Sequence, residues 1–314
     1  KPHVIPDAAG EVRFPSAMFF GADGRDALGW DALRRSAAED GDLLLSVKRF
    51  MGRGASHALK DTGLRRVKVA QGSDRVVRFT VEGGRALTPV EISARYLAAL
   101  KARAEHHLRE PVKQAVITVP AYFDESQRQA TKDAGKLAGL EVLRLLAEPP
   151  AAAVAYGLGK PEHDHGRYVV FDLGGGTFDV SVLAFERGVF QVLATSGDTQ
   201  LGGDDFDHVL ADWMLGRAGL VDADALPRMV RAQVTAAAKA VKEQFTFQED
   251  VRIDVVLPGG KPVQHVMTRA EFNALMAPVV KRCEAPCRQA LEDAMLEPGD
   301  LSGVILVGGS TRMP

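Results

Sequence analysis

An α/β fold in two lobes is predicted by three observations: the length of the chain, the alternation of strand-like and helix-like segments, and the glycine turns between them. At 314 residues the chain exceeds the roughly 100 to 200 residues of a usual domain, so two cores are expected. TPVEISARYLAALKARAEHHL (88–108) places Ile92, Tyr96, Leu97 and Leu100 at helical spacing, and Thr88 with Glu91 forms a capping-box signature. QAVITVPAY (114–122) is a buried-strand run closed by Pro120, and FDESQRQATKDAGKLAGL continues as a helix ending near Gly139. EPPAAAVAYGL (148–158) predicts a second helix, with proline near its start and glycine at its end.

VVFDLGGGTFDVSVL (169–183) is a strand, three glycines and a second strand of alternating apolar residues. RGVFQVLATSGD (187–198) adds a strand, LGGDDFDHVLADWML (201–215) opens a helix out of a glycine pair, and RMVRAQVTAAAKAVKEQF (228–245) is a long amphipathic helix. VRIDVVL is a strand. RAEFNALMAPVVKRCEAPCRQALEDAM is mostly helix with a kink expected at Pro286, and LSGVILVGGSTRMP is a strand with a glycine turn. The polar connection KPEHDHGR (160–167) marks the lobe boundary, giving lobes 1–166 and 167–314.

Hydrophobic residues make up 46% and charged residues 25%, the proportions of a globular protein rather than a disordered or fibrous one. With a net charge of −2 and the two signs interspersed, neither a nucleic-acid surface nor an anionic-membrane patch is expected. No apolar run reaches the roughly 18 residues of a membrane helix, and KPHVIPDAAG has no signal-peptide core, so a cytoplasmic protein is expected. Cys283 and Cys287 share a helix face without forming a disulfide framework and make an incomplete zinc site; EHDH (162–165) reads as a solvated loop. A start at lysine and an end just after a glycine turn suggest a fragment of a longer chain.

The hairpin carries the chemistry. Consecutive glycines let backbone N–H groups converge on an anion, and Thr177 adds a hydroxyl, although a glycine turn alone is as readily a tight or bulged hairpin. Asp172 and Asp179 flank the turn, where both carboxylates can face a phosphate-bound Mg²⁺ or its waters. No G-x-x-x-x-G-K-[ST] occurs and no dinucleotide fingerprint follows a strand, so P-loop and Rossmann enzymes are set aside. Of the other glycine turns, LGGDDFD and LVGGSTR are candidates for phosphate or nucleoside contact.

FDLGGGTFDVSVL, ITVPAYFDESQRQATKDAGKLAGL, EPPAAAVAYGL, LGGDDFD and ILVGGSTRMP, in that order over nearly the whole chain, resemble the ATPase domain of the heat-shock protein 70 (DnaK-type) chaperones. LSVKRFMGRG, RGVFQVLATSGD and LGGDDFDHVLADW resemble its HscA branch, which serves iron–sulfur cluster assembly. The resemblance implies the two-lobed actin-like, ribonuclease-H-like fold, with ATP or ADP and Mg²⁺, and K⁺ as a further candidate ion, in a cleft between lobes. It implies that Asp172 and Asp179 hold Mg²⁺ or its waters, that Gly174, Gly175 and Gly176 donate to phosphate, and that Thr177 meets the γ-phosphate. Lys48 matches the catalytic lysine and Glu148 the glutamate that positions the attacking water; Asp172 and Thr177 share the catalytic set. Gly202, Gly203, Lys242, Thr246, Gly308, Gly309, Ser310 and Arg312 would build the rest of the nucleotide site, with Arg312 stacking on adenine. Pro120 and Arg128 match an interlobe relay.

The implied partners are a J-domain co-chaperone and an unfolded or iron–sulfur scaffold client, held by a peptide-binding domain outside this chain, and a monomer is implied. Pro150 stands where the family has threonine and Lys239 where a ribose-binding glutamate is expected. The family's first phosphate hairpin falls before Lys1, so weak nucleotide binding by this chain is expected. A small-molecule kinase and an actin-like filament protein are the alternatives on the same fold.

Overall fold

The computed structural model describes residues 3–54, 68–69, 76–157, 165–220, 226–257 and 259–314. Its contacts divide the chain into two units, one of residues 1–119 and 123–147, the other of 120–122 and 148–314.

The first unit opens with β1 (Ala17–Gly21), β2 (Asp26–Leu28), α1 (Gly29–Ala38) and β3 (Gly41–Leu45), in which β1 is the antiparallel centre strand. Both faces of β1 are covered. Phe19 packs with Ala32 of α1 on one side, and Phe20 with Leu44, Phe50 and Phe79 on the other. Strand period two thus puts consecutive phenylalanines into separate cores. Ser46, at φ 52°, turns the chain from β3 into a 3₁₀ turn, Val47–Phe50, that carries Lys48.

β4 (Lys68–Val69), β5 (Phe79–Val81) and β6 (Arg85–Leu87) form a small antiparallel sheet, followed by α2 (Pro89–Leu108), whose start is the capping box expected from Thr88 and Glu91. Asp26 on β2 ties these pieces together. Its carboxylate accepts two bonds from Arg85, at 2.7 and 2.9 Å, and one from Arg95 of α2 at 2.6 Å. Burial raises the Asp26 carboxyl, but the two guanidinium groups lower it by more, so it lies below the usual carboxylate range. The stability it contributes is present above the unfolded-chain value near 4 and is lost as pH falls through the folded value. Asp26→Asn should therefore destabilise the protein by about 2 kcal/mol at pH 7, and the gap to the parent should shrink in urea titrations below about pH 4.

β7 (Gln114–Val119), α3 (Glu125–Leu137) and β8 (Glu141–Ala147) complete the unit as a parallel β-α-β crossover. A Cβ on Gly135 would lie 2.5 Å from Val142, so glycine lets the helix approach the sheet closely.

In the second unit α4 (Glu148–Tyr156) precedes the antiparallel β9 (His165–Leu173), β10 (Phe178–Glu186) and β11 (Val189–Asp198). Then come α5 (Gly203–Ala218), α6 (Arg228–Gln244), the hairpin β12 (Asp250–Val255) and β13 (Val263–Thr268), α7 (Arg269–Val280), α8 (Glu284–Asp293) and β14 (Gly303–Val307). β14 pairs parallel to β9, giving the sheet order β11-β10-β9-β14. One face of this sheet shares a core with α5 and α6 through Val180, Val182, Phe206, Leu210 and Val241. The other face packs Ala153 of α4 on Tyr168, Val170, Leu183, Phe185 and Ile305.

That second packing moves the division of the chain. It falls between Ala147 and Glu148 rather than at 160–167, because α4 buries its apolar side on the β9–β10 sheet and so belongs to the second unit. Residues 160–164 of the expected boundary, and 162–164 of EHDH, lie outside the described residues. The expected kink at Pro286 is also displaced: the chain tightens to 3₁₀ at Lys281–Cys283 and keeps right-handed helical dihedrals into Glu284. A proline in the first turn of α8 cannot donate to the carbonyl four residues earlier, so the disturbance appears upstream of the ring. Pro149 and Pro150 sit in the first turn of α4 without interrupting it.

Candidate functional site

The face of β9, β10 and β11 that α4 covers changes character along its length. Near α4 it is apolar; toward the hairpin turn it presents Asp172, Asp179, Ser181 and Thr195. The register explains the grouping. Asp172 is directly opposite Asp179, and Ser181 opposite both Val170 and Thr195, so period-two alternation gathers them on one face. With Pro120 and Glu148 they line a small recess inside the second unit. The Ser181 and Thr195 hydroxyls are 3.0 Å apart, and Thr177 Oγ1 donates to Asp179 Oδ2 at 3.2 Å. Neither Ser181 nor Thr195 was expected from the sequence, although Ser181, two residues beyond Asp179, shares its face by strand periodicity.

The turn itself sorts the three glycines by role. Gly174 N–H donates to Thr177 O at 3.0 Å, and its carbonyl accepts from Gly203 N–H and Ser310 Oγ–H, both at 2.9 Å. Gly174 is therefore spent on holding the turn in place. Among the described residues, neither Gly175 nor Gly176 donates its N–H to another backbone group. Of the three glycines expected to donate to phosphate, Gly174 has its N–H donated within the turn.

The glycine pair that opens α5 works differently from the expectation. Gly203 N–H donates to Gly174 O at 2.9 Å, Asp204 N–H to Gly175 O at 2.7 Å, and Gly202 N–H to the Asp205 carboxylate at 2.8 Å. These donors, which would otherwise greet an anion at a helix N-terminus, are used on the hairpin and on the helix's own first turn. Glycine is needed at 202 for close approach: a Cβ there would lie 2.6 Å from Gly175 O and Gly176 N.

Lys242, expected to line the nucleotide site, also has partners within the protein. It is buried, with Nζ 2.7 Å from Asp207 Oδ1 and donating to Gly203 O at 2.9 Å. Burial pushes the Asp207 carboxyl up, against the pull of the Lys242 ammonium. Thr246 follows α6 half-buried, and Gly309 and Arg312 are exposed. Gly308, at φ 89°, lets the chain after β14 cross the end of β9. Ser310 is buried and its hydroxyl is directed at Gly174. Lys48 lies half-buried in the first unit, as does Arg128 of α3, whose Nε donates to Phe123 O at 2.9 Å.

Two opposed carboxylates beside hydroxyls fit a hydrated Mg²⁺, which keeps several waters and takes one or two carboxylates. Among the described residues there is no cluster of three or more His, Cys, Asp or Glu side chains able to hold a metal directly. Cys283 and Cys287 are free thiols, and burial pushes Cys283 up to about 11, as suits a structural cysteine. Among the described residues no helix is long and apolar enough to cross a membrane.

A family model described as "Hsp70 protein" matches residues 1–314. A chaperone protein HscA homolog of Bordetella pertussis is 48% identical over 314 residues, which is 100% of this chain and 49% of that protein. The homologs of Bordetella petrii, 46% identical over 322 residues, and Variovorax paradoxus, 48% over 311, cover 100% and 99% of the chain and again 49% of their own lengths. The chain thus spans about half the length of the curated relatives it matches.

Proposed function

We propose, from the premise that this chain belongs to the heat-shock protein 70 family, that it is the ATP-binding and ATP-hydrolysing part of an HscA-type chaperone. The observation that carries the reading is the opposed Asp172–Asp179 pair, one register step from a turn whose Gly175 and Gly176 amides remain available. Those amides and Thr177 bind phosphate oxygens, and the two carboxylates orient the water shell of the cation. A Mg²⁺ held there would supply positive charge to the phosphoryl oxygens. Glu148, at the first turn of α4 and lining the same recess, positions the attacking water and accepts its proton. Lys48 adds a cation at the phosphates, Arg312 stacks on the base, and Thr246, Gly308 and Gly309 border the nucleoside.

In the whole protein, turnover here controls the holding of a client by a peptide-binding domain, with Pro120 and Arg128 relaying the nucleotide state. A J-domain co-chaperone stimulates hydrolysis, and the client is an iron–sulfur scaffold or an unfolded chain. The protein works as a cytoplasmic monomer. Calorimetric titration of ADP tests the site. Binding should require Mg²⁺, and Asp172→Asn or Asp179→Asn should each weaken it about tenfold or more. Binding that ignores both Mg²⁺ and these carboxylates would remove the reading.

A further inference from the structure

From outside the recess, Arg282 reaches the loop on which the glycine turn is seated. It lies in the 3₁₀ turn Lys281–Cys283 between α7 and α8. Its Nη2 donates to Asp198 Oδ2 at 2.7 Å and to Gln200 O at 2.9 Å, and its Nη1 lies 3.8 Å from Asp205 Oδ1. Those acceptors bracket the connection from β11 to α5 at its start, middle and end. The two carboxylates hold the same connection from within: Asp198 Oδ1 accepts from Gln200 N–H and Asp205 Oδ2 from Gly202 N–H, both at 2.8 Å. Gly202 in turn lies against the turn, where a Cβ would meet Gly175 O and Gly176 N at 2.6 Å.

We propose that Arg282 is a positioning residue for the phosphate turn: by bracketing the loop from Asp198 to Asp205 it fixes Gly202 against the Gly175–Gly176 peptide, and so tunes nucleotide affinity from the α7–α8 junction. The proposal rests on the nucleotide reading of that turn. A planar guanidinium serves several acceptors from one fixed geometry, which the point charge of a lysine does not. The Arg282 side chain is 42% exposed, so its removal leaves Asp198 and Asp205 to water rather than stranded in a core, and the fold survives the test. What is lost is the restraint on the loop.

The test compares the parent chain with Arg282→Met, Arg282→Lys, Asp198→Asn, and Arg282→Met combined with Asp198→Asn. Hydrogen exchange without nucleotide comes first. In Arg282→Met the Gly202 and Gly203 amides should exchange about tenfold faster or more while β12 and β13 keep parental rates, with Arg282→Lys between that variant and the parent. Calorimetry with Mg-ADP follows. Kd should rise about fivefold or more in Arg282→Met, and the double variant should lie within about twofold of it, because Asp198 has then already lost its partner. Parental exchange in Arg282→Met would overturn the bracket, whatever happened to binding. Faster exchange with parental Kd would overturn the tuning of the turn, and losses that multiply in the double variant would show the arginine acting apart from the loop. If the parent chain binds no Mg-ADP, the nucleotide reading fails, while the exchange comparison still decides whether the bracket exists.

Discussion

Gly308→Ala is expected to destabilise the protein by about 3 kcal/mol and to remove measurable Mg-ADP binding. Gly308 has φ 89° and ψ 151°, a region open to glycine and closed to residues with a Cβ. An added Cβ would also lie 2.2 Å from Leu173 O and 2.8 Å from Asp172 Oδ1. Leu173 is the last residue of β9, so relief of the clash must displace either the strand end or the chain that follows β14. Either movement carries Asp172 away from Asp179. Gly309→Ala supplies the control, because nothing lies within 4 Å of a Cβ at that exposed position. Urea unfolding should show a large loss of stability at 308 and almost none at 309, and calorimetry on Gly308→Ala should show the loss of binding.

Phe178→Ala should cost about 3–5 kcal/mol. Its ring is fully buried, 4.7 Å from that of Phe171, in the core shared by the sheet and α5. Phe178 is the first residue of β10 and the chain neighbour of Asp179, so its cavity opens on the opposite face of the strand pair that carries the opposed carboxylates. Stability and Mg-ADP affinity should fall together. Phe247→Ala, at a side chain 85% exposed, should change neither by more than about 0.5 kcal/mol. Equal losses at the two positions, measured by urea midpoints at constant m, would contradict the packing of the β9–β10 sheet on α5.

The hairpin was legible in the sequence because its information is local. Alternating residues in two strands joined by a short turn fix which side chains share a face, and so Asp172 and Asp179 could be paired before any coordinates. The capping box at Thr88 and Glu91 was legible for the same reason. Roles that depend on distant partners were not. A glycine pair ahead of a helix offers free amides by default, and only the fold shows Gly203 N–H donated to Gly174 O and Gly202 N–H to the Asp205 carboxylate. Lys242 lies 35 residues beyond Asp207, and no spacing rule connects a lysine on one helix to an aspartate on another. β8 went unrecognised because EVLRLLA is rich in helix formers, a preference that parallel pairing with β7 overrides. β13, VQHVMT, hid its alternation behind a glutamine and a histidine, and it becomes a strand through its pairing with β12.

On the proposed function the glycine turn receives the phosphates. Amide NMR of the chain during titration with Mg-ADP tests it most directly. Saturating shifts at Gly175, Gly176 and Thr177, much larger than at Gly174, whose N–H is already donated to Thr177 O, are the predicted result. Saturable nucleotide binding that leaves the 175–177 amides unmoved would show that the turn serves the hairpin alone.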